Sequence, residues 1–240
     1  MHPSKVALIM ARTSKANLPK NAHVSAFVVP MDTPGVTIGK SDKKMGQAGS
    51  QIADIFMEDV RVSKDALLGG EVGKGFVYAM KSLDNGRISV GAAATAYAKR
   101  ALDSAVRYAT ERKAFGEPIV NFQLIQQMLA KSEIEIYAAE CMMHDVTRRA
   151  DAGENVLRKA AAFKVFASGR AVDRCVQVYG SAGYLAEYDA ERFFRDARIY
   201  RIYEGTTQIL QLQIAKHMLR EFNTGTLAKI ECTTFSPASQ

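Results

Sequence analysis

The sequence predicts a mainly α-helical protein in which a C-terminal four-helix up-down bundle follows a small, partial antiparallel β domain. In roughly the first 70 residues, apolar positions occur in short runs separated by Pro, Gly and Asn, as in strands and tight turns. From Gly73 onward they recur at the 3.6-residue period of amphipathic helices. Long helices with short connections favour antiparallel packing. We therefore predict a β domain at 1–70, a bundle at 71–222 and a disordered tail at 223–240.

Four strands are predicted in the first domain. Their ranges are 5–11, 24–29, 36–39 and 52–60. Such a small sheet would leave unpaired strand edges exposed. We therefore expect it to pack on the helical part or to belong to a larger sheet.

Five helices are predicted in the remainder, at 74–110, 121–150, 155–179, 189–197 and 206–222. Gly86 and Gly91 weaken the first helix locally without necessarily breaking it. A charged segment and Pro118 separate the first two helices, and Pro suits the first turn of a helix. The third helix is rich in Ala, which allows neighbouring helices to approach closely.

The charge pattern argues against nucleic-acid binding. The net charge is +7, but basic and acidic residues alternate along the chain. This interleaving is typical of a solvated helical surface, although ligands bearing phosphate remain compatible with it.

The cysteines indicate a reducing compartment. Cys141, Cys175 and Cys232 are far apart, odd in number and without metal-ligand spacing, so neither a disulfide framework nor a metal site is predicted. No apolar run approaches the roughly 18 residues of a transmembrane helix, and the first residues do not have the pattern of a signal peptide.

A candidate site lies at 198–209, between two predicted helices. Here a carboxylate, Glu204, stands beside Gly205, and Thr206 and Thr207 can cap the helix that follows. Glycine lets backbone approach a ligand closely, and a carboxylate held against such a loop is a candidate general base. The alternative is an ordinary acidic residue near a helix N-terminus, favoured by the helix dipole.

Nine short segments occur in a fixed order along the chain. They are 44–46 (KMG), 49–50 (GS), 71–76 (EVGKGF), 83–87 (LDNGR), 108–116 (YATERKAFG), 122–123 (FQ), 177–184 (QVYGSAGY), 191–196 (ERFFRD) and 198–209 (RIYRIYEGTTQI). Taken together, these segments resemble the acyl-CoA dehydrogenase family, flavoproteins of fatty-acid and branched-chain oxidation. The resemblance extends over about residues 5–222 and covers the second half of the family's middle β domain and its C-terminal bundle.

The resemblance implies FAD-dependent α,β-dehydrogenation of an acyl-CoA to a 2-enoyl-CoA. It also implies a homotetramer or homodimer, and an electron-transfer flavoprotein as electron acceptor. The expected compartment is the bacterial cytoplasm or the mitochondrial matrix. The family's first helical domain and early β strands, which hold the flavin ring, have no counterpart here, so a truncated member is expected.

The resemblance also assigns residues to the substrate site. Glu204 matches the catalytic glutamate of the family, which in some members is placed instead just before Arg87. That position is Gly86 here and cannot act as a base. Arg87 matches an arginine near the substrate, and Asp84 lies one helical turn before it, although a simple surface ion pair is the alternative. Tyr203 and Gly205 complete the predicted substrate-binding set.

A second set of residues is matched to FAD. It consists of Arg112, Phe115, Gln123, Gln177, Gly180, Ser181, Gly183, Thr206 and Gln208. Arg112 matches the arginine that reaches the pyrophosphate of a neighbouring subunit's FAD, and 177–183 match the turn around its adenosine end. Ser181 departs from the usual pair of glycines. The alternatives are a helix-end charge for Arg112, a core aromatic for Phe115 and a helix C-cap for Gly180.

Two other hypotheses stay open at this stage. The chain could be a non-catalytic helical assembly module that has lost full FAD and substrate binding. It could also be a fragment of a longer gene product.

Overall fold

The computed structural model describes residues 4–14, 19, 22–169 and 171–225. Its β part consists of two separate antiparallel pairs. Strand β1 (Val6–Arg12) pairs with β2 (Val24–Pro30), and β3 (Val36–Ile38) pairs with β4 (Ile55–Met57). The four predicted strands are therefore found, but they do not form one sheet among the described residues.

Helix α1 (Gly75–Glu111) is the central element of the bundle. It packs against α2 (Gln123–Asp151), α3 (Leu157–Ala167) and α4 (Ala171–Tyr179). Small residues recur every three or four positions on its buried face, which brings the other helices close; they are Gly91, Ala94, Ala98, Ala101, Ala105 and Ala109. A two-residue strand pair, β5 (Lys113–Ala114) and β6 (Glu117–Pro118), connects α1 to α2.

The prediction of one continuous third helix is wrong. In place of one helix at 155–179, α3 ends at Ala167 and α4 begins at Ala171. Ser and Gly at 168–169 are weak helix formers. In addition, the Arg201 guanidinium donates to the carbonyl oxygens of Ser168 and Gly169, at 2.9 and 2.7 Å. These carbonyls are held by a distant side chain instead of by the next helical turn.

The other helices lie within two residues of their predicted bounds. Helix α5 (Asp189–Ala197) follows the prediction at both ends, and α6 (Thr207–Asn223) packs on α3. Together α1, α2, the α3–α4 pair and α6 form the bundle. Residues 226–240 of the predicted tail lie outside the described part of the chain. In the described part, no helix has both the length and the hydropathy needed to cross a membrane.

The β part packs on the helical part, as expected for a small sheet. A Cβ added to Gly46 would lie 2.5 Å from the backbone carbonyl carbon of Arg195 in α5. The Arg195 guanidinium donates to the Met45 carbonyl oxygen at 2.9 Å, and the Gln47 N–H donates to the Asp196 carboxylate. The 45–47 loop thus lies directly on α5, close to the segment that contains Glu204.

Candidate active site

The Glu204 carboxylate is presented by a tight turn between a 3-10 helix (Arg198–Arg201) and α6. Glu204 has a φ of 53° and Gly205 a φ of 95°. A left-handed backbone is uncommon at a residue other than Gly, and it concentrates at functional sites. At Gly205 it is compatible only with glycine, since an added Cβ would also lie 2.9 Å from the Leu210 side chain.

The carboxyl group lies in the space left by a missing side chain on α1. A Cβ added to Gly86 would be 2.7 Å from Oε2 of Glu204 and 3.3 Å from Oε1. Oε2 is buried and has no hydrogen-bond partner among the described residues. Buried polar atoms are nearly always paired, so this oxygen is available to a group that enters the site.

Arg87 and Asp84 lie on the same side of α1 as this carboxyl group. The Arg87 guanidinium donates to Oδ1 of Asp84 at 2.6 Å, and its Nε donates to the Glu204 backbone carbonyl at 3.4 Å. The arginine is 6% exposed. Arg87 is therefore buried against the Glu204 turn, whereas Asp84 is half-buried, and the substrate role of both residues stays a prediction.

Lys164 of α3 is a site residue that the sequence reasoning missed. It is fully buried, and its Nζ donates to the Gly205 carbonyl oxygen at 2.7 Å. Burial lowers the pKa of Lys164 to about 8; the Glu204 charge opposes this shift and the Arg87 charge adds to it. The available sequence signal was a lysine inside the apolar run AAAFKVFA.

Three tyrosines form an aromatic wall beside the turn. The Tyr200 ring centroid lies 5.6 Å from that of Tyr97 and 5.8 Å from that of Tyr203. Tyr200 is buried, and burial raises the pKa of its phenol far above the ordinary range. Burial also raises the pKa of Tyr203. The wall is thus uncharged near neutral pH.

Thr206 and Gln208 lie at the start of α6, next to the base candidate. The Thr206 hydroxyl accepts a hydrogen bond from the Ile209 N–H at 3.3 Å, which confirms the predicted helix cap. Gln208 is exposed. Thr207, the other predicted capping residue, does not make the cap, and its buried hydroxyl oxygen has no partner among the described residues.

Three of the other predicted FAD residues, Arg112, Phe115 and Gln123, lie near the C-terminal end of α1. Arg112 is the C-cap of α1 and is exposed. Phe115 is 98% exposed and has a φ of 53°, so the core-aromatic alternative is wrong. Its ring meets that of Phe122 edge-on at 6.0 Å, and the exposed Gln123 begins α2.

The C-terminal end of α4 joins this group. Tyr179 stacks on Tyr108 of α1 with ring centroids 4.0 Å apart, and Gln177 is exposed on the same helix. A Cβ on Gly180 would meet nothing within 4 Å, although its φ of 60° favours glycine. This leaves the helix-end alternative for Gly180 in place.

Ser181 and Gly183 follow in a short 3-10 helix (Gly180–Tyr184). Ser181 is exposed, whereas Gly183 is buried. A Cβ on Gly183 would lie 2.6 Å from the Val176 carbonyl oxygen. Glycine is therefore needed at 183 for packing, whether or not a ligand approaches it.

The predicted FAD residues do not all come together in one chain. Gly86, beside Glu204, and Arg112 are separated by 26 residues of α1 and its cap, or about 39 Å at 1.5 Å per residue. Thr206 and Gln208 lie with Glu204, whereas the other seven lie around the opposite end of α1. We call these the base end and the far end of the bundle.

Comparison with known proteins identifies the architecture. The model of the family described as "Acyl-CoA dehydrogenase, C-terminal domain" matches residues 73–219, more than half of the chain. The chain belongs to the acyl-CoA dehydrogenase family. The match covers α1 to α5, most of α6 and the turn that contains Glu204.

Similarity to individual acyl-CoA dehydrogenases extends into the β part. The chain is 41% identical to the human mitochondrial short-chain specific acyl-CoA dehydrogenase over 92% of its own length and 54% of that protein. The butyryl-CoA dehydrogenase of Megasphaera elsdenii superimposes with a TM-score of 0.86 at 37% identity, over 90% of this chain and 57% of that one.

A third relative was solved with the cofactor. It is an acyl-CoA dehydrogenase from Bacillus anthracis complexed with FAD, with a TM-score of 0.84 and 33% identity over 93% of this chain and 41% of that one. The chain spans about half the length of the curated relatives it matches.

Proposed function

We propose that this chain supplies the catalytic base and part of the cofactor site of an FAD-dependent acyl-CoA dehydrogenase. Glu204 removes the α proton of an acyl-CoA, and the β hydrogen leaves with its electron pair, so that a 2-enoyl-CoA is formed. FAD, when bound, supplies the hydride acceptor. The observation that supports this proposal is the buried, unpartnered Oε2 of Glu204 in the space beside Gly86.

The residues around Glu204 suit proton abstraction from a weakly acidic C–H bond. The base must be fixed close to that bond and shielded from water. The turn is held by Arg87 and Lys164 through its backbone carbonyls, and the three packed tyrosines include Tyr203, the residue before Glu204. The abstracted proton binds to the Glu204 carboxylate, which thereby becomes a neutral carboxylic acid.

The far end of the bundle suits the other part of the cofactor. Its exposed groups include a guanidinium, two primary amides and an aromatic ring; they belong to Arg112, Gln123, Gln177 and Phe115. A guanidinium binds phosphate by paired hydrogen bonds, and an exposed ring can stack on an adenine. This donor set therefore fits the pyrophosphate and adenosine of FAD.

The separation of the two ends supports an oligomer. Since about 39 Å of helix lies between them, we propose that the far end of one chain serves the FAD of a neighbouring copy, in a homodimer or homotetramer. The family resemblance supports an electron-transfer flavoprotein as the acceptor of the electrons.

The test is to incubate the purified chain with FAD and straight-chain acyl-CoAs in deuterated buffer. Exchange of the α hydrogen, followed by mass spectrometry, reports proton abstraction, and bleaching of the flavin absorbance reports hydride transfer. We expect both. If neither occurs with any acyl-CoA, the non-catalytic assembly module becomes the better interpretation.

Replacing Arg112 with Ala is expected to weaken FAD binding by about 10- to 100-fold, because a charge-assisted hydrogen bond contributes about 1.5–3 kcal/mol. The measurement is the dissociation constant from quenching of flavin fluorescence. Arg148→Ala is the matched control, since Arg148 is an exposed arginine of α2 remote from Gln123. Equal FAD affinity in both variants would remove Arg112 from the cofactor site.

A further inference from the structure

The base end contains a buried cation that takes no direct part in the proposed proton and hydride transfers. Lys164 has no solvent exposure, and burying an ammonium group is costly unless it is paired and hydrogen-bonded. Its neighbour Phe163 is equally buried, with a Cβ added to Gly91 lying 2.5 Å from the ring. The α3 backbone at Lys164 is thus fixed against α1, and among the described residues the acceptor of the Lys164 side chain is the Gly205 carbonyl oxygen.

Two cationic side chains hold two consecutive carbonyls of the turn. Arg87 of α1 donates to the carbonyl of Glu204 at 3.4 Å, and Lys164 of α3 donates to that of Gly205 at 2.7 Å. Both residues of the turn have left-handed backbone conformations. Such a conformation persists only where the surroundings determine it, and of the two hydrogen bonds the shorter is made by Lys164.

Charged groups on the helices that pack against α3 are paired with residues other than Lys164. Glu204 is the carboxylate that acts on Lys164. On α1, Arg87 faces the site and is paired with Asp84. The α2 and α6 carboxylates that meet α3 bind other residues of it: Asp145 binds Lys159, and Glu221 binds Arg158. The acidic group that acts electrostatically on Lys164 is the Glu204 carboxylate.

We propose that Lys164 is a positioning residue for the catalytic base: it fixes the Glu204 turn through the Gly205 carbonyl and places a buried positive charge next to that turn. This inference deepens the proposed function and rests on Glu204 being the base. The two parts of the role respond differently to pH. When the ammonium loses its proton, near pH 8, the neutral amine can still donate to Gly205 but no longer carries the charge.

The first test needs neither cofactor nor substrate. In the chain labelled with 15N-lysine, the titration midpoint of Lys164 is followed by NMR. We expect Glu204→Gln to move this midpoint downward from about 8, since the Glu204 charge raises the pKa of Lys164 against the effect of burial. Glu221→Gln, which removes a carboxylate on α6, is the control and should leave the midpoint in place. An unchanged midpoint in Glu204→Gln would overturn the proposed coupling.

The second test separates positioning from folding and binding. Lys164→Met keeps the length of the side chain but removes the donor and the charge. We expect α-hydrogen exchange to slow by about 10- to 100-fold, as for other small misplacements of a catalytic group, with unchanged KM and FAD affinity. Lys216→Met, at an exposed lysine of α6, is the control. Exchange at the unsubstituted rate in Lys164→Met would contradict the positioning role.

The two tests also distinguish the two proposals. If the unsubstituted chain exchanges no α hydrogen, the proposed function fails, but the titration shift still decides whether Lys164 is coupled to Glu204. If Lys164→Met does not fold, the NMR comparison remains decisive because it keeps the lysine.

Discussion

Replacing Glu204 with Gln is expected to slow α-hydrogen exchange by about 10²–10⁴-fold, the usual contribution of a general base. Glutamine has nearly the same shape and fits the space beside Gly86, so the turn should remain in place. Its amide cannot accept the proton. The measurement is the rate of deuterium incorporation at the α carbon of the acyl-CoA, with flavin bleaching recorded in parallel.

Glu187→Gln provides the matched control, because Glu187 is an exposed glutamate near the start of α5. Its exchange rate should equal that of the unsubstituted chain. In Glu204→Gln, FAD affinity and the far-ultraviolet circular dichroism spectrum should also be unchanged, which would show that the loss is chemical. Full exchange activity in this variant would remove Glu204 from the mechanism.

Replacing Phe163 with Ala is expected to lower the free energy of unfolding by about 3–5 kcal/mol. Phe163 is fully buried, and its ring fills the space over Gly91 of α1. Since Gly91 has no side chain to move into the cavity, the site can collapse only if α1 and α3 shift toward each other. The free energy is measured by urea denaturation followed by circular dichroism, and the m-value should stay constant.

Phe166→Ala on the same helix tests whether burial is the cause. Phe166 is 41% exposed, so its truncation should cost much less, about 1 kcal/mol or below. A similar loss of stability in both variants would mean that the contact between Phe163 and Gly91 is not what stabilises α3 against α1. Because Lys164 follows Phe163 directly, this contact also bears on the geometry of the base end.

The helices show where sequence patterns are sufficient and where they are not. The bounds of α1, α2, α5 and α6 could be predicted within two residues, because a 3.6-residue period of apolar positions is a local property of the chain. The break between α3 and α4 could not be predicted from this period. Ser168 and Gly169 only weaken a helix locally, and at the break their carbonyls are bound by Arg201, more than thirty residues later.

The same distinction between local patterns and tertiary contacts applies to the candidate active site. The sequence by itself determined the family resemblance, the base candidate Glu204 and the glycine beside it, since these are local motifs in a fixed order. Only the tertiary structure decided that Gly86 makes room for the carboxyl group, that Arg87 is buried, and that the predicted FAD residues lie at two ends of α1. The tertiary structure alone also shows that Lys164 contacts the Glu204 turn. The reason is physical: a hydrogen bond between residues 41 positions apart exists only once α3 has packed beside α1 and the Glu204 turn.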